Sequence, residues 1–235
     1  MTNSPSIQTL LEDRCAAGQE LVEPLSRYAG RPDAIVLALP RGGVPVAYEV
    51  ATALRLRLDL IIVRKLGFPS RPEFALGAIA SGGIQILNDD ALAAHPVDRA
   101  SFDALVASEK QELLRREQAY RGKRPPADLK DQVVILVDDG LATGASMMAA
   151  IHAVRTQAPS RIVVAVPVAP LETVEALRGE VNEVVCPHVL EWMVSIGYWY
   201  NDFTQTSDDI VMDLLQRAWH RESVGDGPAQ EGSDV

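Results

Sequence analysis

Two adjacent carboxylates, Asp138 and Asp139, stand at the end of the apolar run Val133-Val134-Ile135-Leu136-Val137. The chain then turns through Gly140-Leu141-Ala142-Thr143-Gly144-Ala145-Ser146. Neighbouring carboxylates repel, and burying both is costly unless donors meet them. Ribose hydroxyls, Mg²⁺-bound water and amides at a helix start are such donors. The plain alternative is that one Asp merely caps the next helix; the turn that follows favours a ligand. Gly140 and Gly144 let the backbone approach a ligand closely. Thr143 and Ser146 add hydroxyl donors, and a helix start attracts an anion through its amides and dipole. The pattern fits a sugar phosphate, with its hydroxyls on the acids and its phosphate in the turn. No Lys follows Thr143-Gly144, so the turn is not an ATP-binding P-loop.

Two further polar groups sit at the ends of apolar runs: Arg41-Gly42-Gly43 after Ala34 to Leu39, and Arg64-Lys65 after Leu58 to Val63. Short apolar runs at Val133 to Val137, Arg161 to Val166 and Val181 to Val185 read as further strands. Helices are expected at Ile7 to Tyr28, Val44 to Leu54, Asp98 to Tyr120, Gly144 to Gln157, Leu171 to Arg178 and Asp208 to His220. Phe74 to Ala80 and Ile84 to Asn88 read as strands joined at Ser81-Gly82-Gly83, with a loop over Gly67 to Pro72. Alternating strands and helices imply an α/β fold with a parallel sheet covered on both faces. Such a sheet binds ligands outside the carboxyl ends of its strands, so one cleft gathers all three polar groups.

Composition narrows the partners. The chain has 235 residues and a formal net charge of −10, which disfavours a broad nucleic-acid-binding surface. Local phosphate binding by amides, a few cations and Mg²⁺ stays open. The two cysteines, Cys15 and Cys186, make neither a metal pattern nor a disulfide framework. The polar start carries no secretory signal and no run is long enough to span a membrane, so a cytoplasmic protein with no membrane partner is expected. His95, His152, His188 and His220 show no ligand spacing. Ser146 and Ser195 lack the setting of an esterase nucleophile.

Val133 to Ser146 resembles the phosphoribosyl-pyrophosphate signature of type I phosphoribosyltransferases: a hydrophobic strand, two acids, a short spacer and Thr-Gly. Leu39-Pro40-Arg41-Gly42-Gly43 resembles the same family's pyrophosphate loop. The whole chain, including Arg64-Lys65-Leu66-Gly67 and Trp199-Tyr200-Asn201-Asp202-Phe203, is similar to a bacterial group described as predicted phosphoribosyltransferases. The resemblance implies a five-stranded parallel sheet flanked by helices, with a small hood and an N-terminal helix. Its expected parts are residues 1–30 (N-terminal helix), 31–187 (core), 188–220 (hood and closing helix) and 221–235 (disordered tail).

By that resemblance, Asp138 and Asp139 hold the ribose hydroxyls, directly or through Mg²⁺, and Gly140 to Ser146 bind the 5-phosphate. Arg41 and the amides of Gly42 and Gly43 bind pyrophosphate, beside a cis peptide between Pro40 and Arg41. Arg64 and Lys65 are either pyrophosphate contacts or solvated cations. Arg71, Arg121, Lys123 and Arg124 are weaker candidates for a closing loop. In the hood, Trp192 is the first candidate to stack on a base. Trp199 and Tyr200 either join it or cap the core or an oligomer interface. The implied activity is transfer of a 5-phosphoribosyl group from phosphoribosyl pyrophosphate to a nitrogenous small-molecule acceptor, in a protein compatible with a homodimer. Two rivals stand beside it: a non-catalytic sensor of phosphoribosyl pyrophosphate or a nucleotide, and a nucleotide phosphorylase or hydrolase.

Overall fold

The computed structural model describes residues 10–68, 71–87 and 98–225. The chain enters through a short helix, α1 (Arg14–Glu20), and a 3-10 turn at Ser26–Tyr28. Asp13 caps α1, its Oδ1 accepting from the Ala16 amide at 2.8 Å. Residues 7–9 of the single helix expected from Ile7 to Tyr28 lie outside the described residues, and over 10–28 that helix is shortened. Leu10 and Leu11 both donate their amides to the Trp199 carbonyl at 3.1 Å instead. Pro24 has no amide hydrogen and disfavours helical backbone at Glu23 before it.

The remaining elements run β1 (Ala34–Ala38), α2 (Gly43–Leu54), β2 (Arg57–Leu60), β3 (Val63–Phe68), β4 (Arg71–Ala80), β5 (Ile84–Leu87) and α3 (Arg99–Arg121). Then follow β6 (Val133–Val137), α4 (Ala145–Arg155), β7 (Arg161–Ala165), β8 (Val168–Pro170), α5 (Leu171–Arg178), β9 (Glu183–Val185), β10 (His188–Leu190) and α6 (Asp208–Val224). Five strands form the parallel sheet in the order β2-β1-β6-β7-β9. This is the expected α/β architecture.

All residues of β1 and β6 are buried. Their side chains alternate between two cores. Val36 and Ile135 face α1, α2 and α6, packing with Leu21, Val50 and Leu215. Ile35, Leu37, Val134 and Leu136 face α4 and α5, packing with Met147, Ile151 and Leu177. Each fully buried aliphatic side chain contributes about 1.5–3 kcal/mol. Both faces need them, which is why these strands are continuous apolar runs rather than alternating ones. From β1 the chain passes outward to β2 and later returns to β6 on the other side of β1. The sheet order therefore reverses between β1 and β6, the position at which parallel α/β sheets hold ligands.

Four further segments depart from expectation. The strand read over Leu58 to Val63 is broken. Ile61 still donates to Ala38, but Ile62 is bonded to Ser81 through both its amide and its carbonyl, each at 2.9 Å. The chain there leaves the main sheet for a separate antiparallel one, β3-β4-β5. The loop read over Gly67 to Pro72 is largely the two ends of that hairpin, with 69–70 outside the described residues. β8, within the segment expected as core, and β10, at the start of the expected hood, form a small parallel pair that three-residue strands hide from pattern reading. Finally α6 continues past His220 to Val224, so the start of the expected disordered tail is helical; 226–235 lie outside the described residues. Among the described residues no helix is long and apolar enough to cross a membrane.

Candidate active site

The Asp138-Asp139 pair leaves the carboxyl end of β6, and Arg41-Gly42-Gly43 leaves that of its neighbour β1. The two turns press together. A Cβ on Gly42 would lie 2.0 Å from Asp139 Oδ2, and one on Gly43 would lie 2.8 Å from the Val137 carbonyl and 2.9 Å from Asp138 Cα. Only glycine permits that contact. The peptide between Pro40 and Arg41 is cis, as expected for this loop.

Beyond the acids, the chain forms a cradle around a cavity of about 200 Å³. Asp138, residues 140–147, Lys65 and Ile196 line it. Gly144 sits in the left-handed region, φ 70°, a conformation that glycine adopts without the Cβ penalty, and starts α4. No side chain caps α4, and its first turn holds no acid. The same is true of α2, which starts at Gly43. By contrast α1, α3 and α6 are capped by Asp13, Asp98 and Ser207. α5 also lacks a side-chain cap but carries Glu172 in its first turn. At α2 the Gly43 and Val44 amides already donate to the Leu39 and Arg41 carbonyls and Pro45 has none, so the Gly43 amide expected to bind pyrophosphate is taken; at α4 the uncapped first-turn amides are donors for an anion. Thr143 and Ser146 are exposed at the rim of this cavity. The Thr173 hydroxyl donates to the Ala142 carbonyl at 2.7 Å and so ties the cradle to α5.

The two carboxylates have different surroundings. Asp138 lines the cavity; Asp139 does not. Asp138 Oδ1 accepts from the Asp139 amide at 2.9 Å. Burial, with the Asp139 charge beside it, pushes Asp138 well above the ordinary carboxylate range. Burial also raises Asp139, opposed by the Arg14 guanidinium. Arg14 Nε and Nη2 each lie 2.8 Å from Asp139 Oδ2. The Asp139 carbonyl accepts from the Tyr200 hydroxyl at 2.6 Å. Among the described residues, no cluster of three or more His, Cys, Asp or Glu is arranged to hold a metal. A carboxylate facing an anion cradle suits Mg²⁺ only when ligand oxygens complete its shell, which is the usual way this ion binds.

The cationic candidates separate as well. Arg64 and Lys65 lie inside β3 rather than beyond a strand end, and successive side chains of a strand face opposite ways. Arg64 Nε donates to Glu109 on α3 at 2.7 Å; Lys65 lines the cavity. Arg41 reaches Asp208 at the start of α6, 3.5 Å away, rather than the cradle. Asp208 also accepts from Tyr120 at 2.6 Å. Of the weaker candidates, Arg121 is buried and paired with Asp59 at 3.0 Å, which removes it from any closing loop. Arg124 pairs with Glu222 at 2.6 Å, Lys123 is exposed, and the Arg71 side chain lies outside the described residues.

The hood aromatics divide in the same fashion. Trp199 is 9% exposed and belongs to the core. Trp192 is 57% exposed and rests against it, ring centroids 6.1 Å apart. Of the two rings, Trp192 is thus the accessible one and Trp199 its buried support. The sequence reading missed Arg14, Thr173 and Ile196 as parts of the site. Their partners are remote in the chain (125 residues separate Arg14 from Asp139) and no local spacing announces them.

The comparisons with known proteins point to one family. Residues 8–199 match the model of the phosphoribosyl transferase domain. A protein of Mycobacterium tuberculosis, provisionally named a phosphoribosyl transferase and known from two strains, is 41% identical over 225 residues, 96% of this chain. The chain spans half the length of these curated relatives. The crystal structure of TT1426 from Thermus thermophilus is 43% identical, with a TM-score of 0.78 over 88% of this chain and 98% of that one. With the paired acids at the end of β6 and the uncapped cradle beyond them, the chain belongs to the type I phosphoribosyltransferase family.

Proposed function

We propose that the protein transfers a 5-phosphoribosyl group from phosphoribosyl pyrophosphate to a nitrogenous small-molecule acceptor and releases pyrophosphate. The observation that carries this reading is the cavity in which one carboxylate, Asp138, faces an uncapped helix start and Lys65. An acid for hydroxyls beside a donor-lined pocket for an anion is the chemistry of a sugar phosphate. The 5-phosphate would take the first-turn amides of α4 and the Thr143 and Ser146 hydroxyls. The pyrophosphate would take the amides of Arg41 and Gly42, just before α2, and Lys65.

The reaction breaks the bond between C1 of the ribose and the pyrophosphate oxygen and forms one to the acceptor nitrogen, which loses its proton. The cradle fixes the ribose in line, and Lys65 with the Arg41 and Gly42 amides meets the charge that grows on the leaving group. Mg²⁺, held by Asp138 together with ligand oxygens, would neutralise part of that charge. Trp192 offers a flat face to an acceptor ring.

The test is pyrophosphate release on incubation with phosphoribosyl pyrophosphate, Mg²⁺ and a panel of purines, pyrimidines and simpler amines. Acceptor-dependent release is expected. Tight binding of phosphoribosyl pyrophosphate without release across the panel would replace the transferase with a sensor. Turnover that needs phosphate and not phosphoribosyl pyrophosphate would replace it with a phosphorylase.

A further inference from the structure

Arg14 makes more specific contacts than a surface arginine needs. Its side chain is only 11% exposed. Nε and Nη2 converge on one oxygen, Asp139 Oδ2, at 2.8 Å each. Nη1 donates to the Thr204 carbonyl at 2.8 Å. The guanidinium carbon sits 3.9 Å above the centre of the Phe203 ring. One side chain thus joins α1, the hood segment and the acid pair.

Asp139 is fastened at three points as a result: its carboxylate by Arg14, its carbonyl by Tyr200, and its amide by donation to Asp138 Oδ1. Gly42 closes the remaining side, leaving no space for the Asp139 carboxylate to swing that way. The last of the three bonds is the informative one. Whatever fixes Asp139 also fixes the amide that orients the Asp138 carboxylate, and Asp138 is the acid that lines the cavity.

Building on the transferase reading above, we propose that Arg14 is a positioning residue for the donor sugar: it reserves Asp139 as an anchor and, through the Asp139 backbone, aims Asp138 at the ligand. The family resemblance expects both acids to meet the ribose; in this chain the work divides, one acid binding and the other holding. Because both Arg14 donors to Asp139 fall on the same oxygen, a single ammonium can replace much of the pairing. Sites that use an arginine across both carboxylate oxygens do not allow this.

The test is calorimetric titration with phosphoribosyl pyrophosphate and MgCl₂, each protein held well below its own Tm. Arg14→Met is expected to bind about 10- to 100-fold more weakly, the range for a small misplacement of a positioned group. Arg14→Lys is expected to recover most of that loss. Unchanged affinity in Arg14→Met, or no recovery in Arg14→Lys, overturns the proposal. Should Arg14→Met fail to fold, Phe203→Leu keeps the charges and removes the ring beneath the guanidinium. It is expected to weaken binding about threefold to tenfold, and unchanged affinity there is equally fatal. A clamp that served folding alone would lower Tm in these variants and leave affinity as it was. No heat from the folded wild type defeats the transferase reading and this inference together, and shows it before any variant is made.

Discussion

The cradle is built from contiguous chain, residues 138–147 on one strand-to-helix turn, whereas the hood across from it is assembled from distant pieces. Leu10 and Leu11 hang on the Trp199 carbonyl, Arg14 stacks on Phe203, and Tyr200 reaches back to the Asp139 carbonyl. In the cradle, backbone amides supply the donors, and their direction is set by β6 and α4. In the hood, side chains and backbone groups from three segments hold one another. A site made of backbone tolerates side-chain change so long as the turn keeps its shape. A site made of interlocked side chains fails at its supports.

That contrast is broken most severely at Trp199. Trp199→Ala empties a core position and is expected to cost about 3–5 kcal/mol. Trp192→Ala, on its exposed neighbour, should stay within about 0.5 kcal/mol of wild type while weakening acceptor binding. Denaturant unfolding of both variants, paired with acceptor titration, would show the split; equal destabilisation would erase it. On the cradle side, Gly42→Ala drives a Cβ into Asp139 and is expected to cost about 1–3 kcal/mol as overpacking. Its affinity for phosphoribosyl pyrophosphate should fall with it, whereas wild-type affinity would mean that the two turns do not need their close contact.

Smaller effects sharpen the picture. Lys65→Ala is expected to lose about tenfold in affinity, or about 1.4 kcal/mol. Arg64→Ala breaks only a part-exposed pair with Glu109 and should cost at most about 1 kcal/mol of stability, with affinity intact. Reversed results would exchange the roles of these neighbours. The smallest effect belongs to Asp208. Hydrogen bonding from Tyr120, then the charge of Arg41, holds its carboxyl below the usual range. A lowered carboxylate pKa stabilises the fold above the unfolded value, about 3.9, and that contribution fades as pH falls through the folded value. The Tm gap between wild type and Asp208→Asn should therefore be open at pH 7 and narrow toward pH 3. Because Asp208 is half exposed, solvent screening keeps the gap small. A gap that widens in acid would refute the assignment.

The same contrast explains what could be read before any coordinates. Val133 to Ser146 was legible because strand, acids, turn and helix start are adjacent, and each has a composition of its own. The sheet was legible from β1, β6 and β7, whose burial on both faces demands unbroken apolar runs. The β8–β10 pair resisted because each strand is three residues long, too short for a period to show, and β8 ends in proline. The N-terminal helix was overextended because apolar spacing outweighed Pro24. Arg64 and Lys65 could not be told apart in a linear string; only the pleat of β3 sends one to Glu109 and the other to the cavity. Arg14 carried no signal at all, since its meaning lies in a contact with Asp139 that only the folded chain makes.

The cavity-facing Asp138 is the residue on which the proposed function most depends, and one paired measurement reaches it directly: calorimetric titration of phosphoribosyl pyrophosphate with MgCl₂ into wild type and Asp138→Asn, with Tm recorded for both at pH 7. Burial that disfavours the Asp138 charge means a neutral amide should leave Tm unchanged or raise it. The predicted result is one-to-one binding by wild type and none by the equally stable variant. Folded wild type that evolves no heat, or a variant that binds as tightly as wild type, would contradict the account.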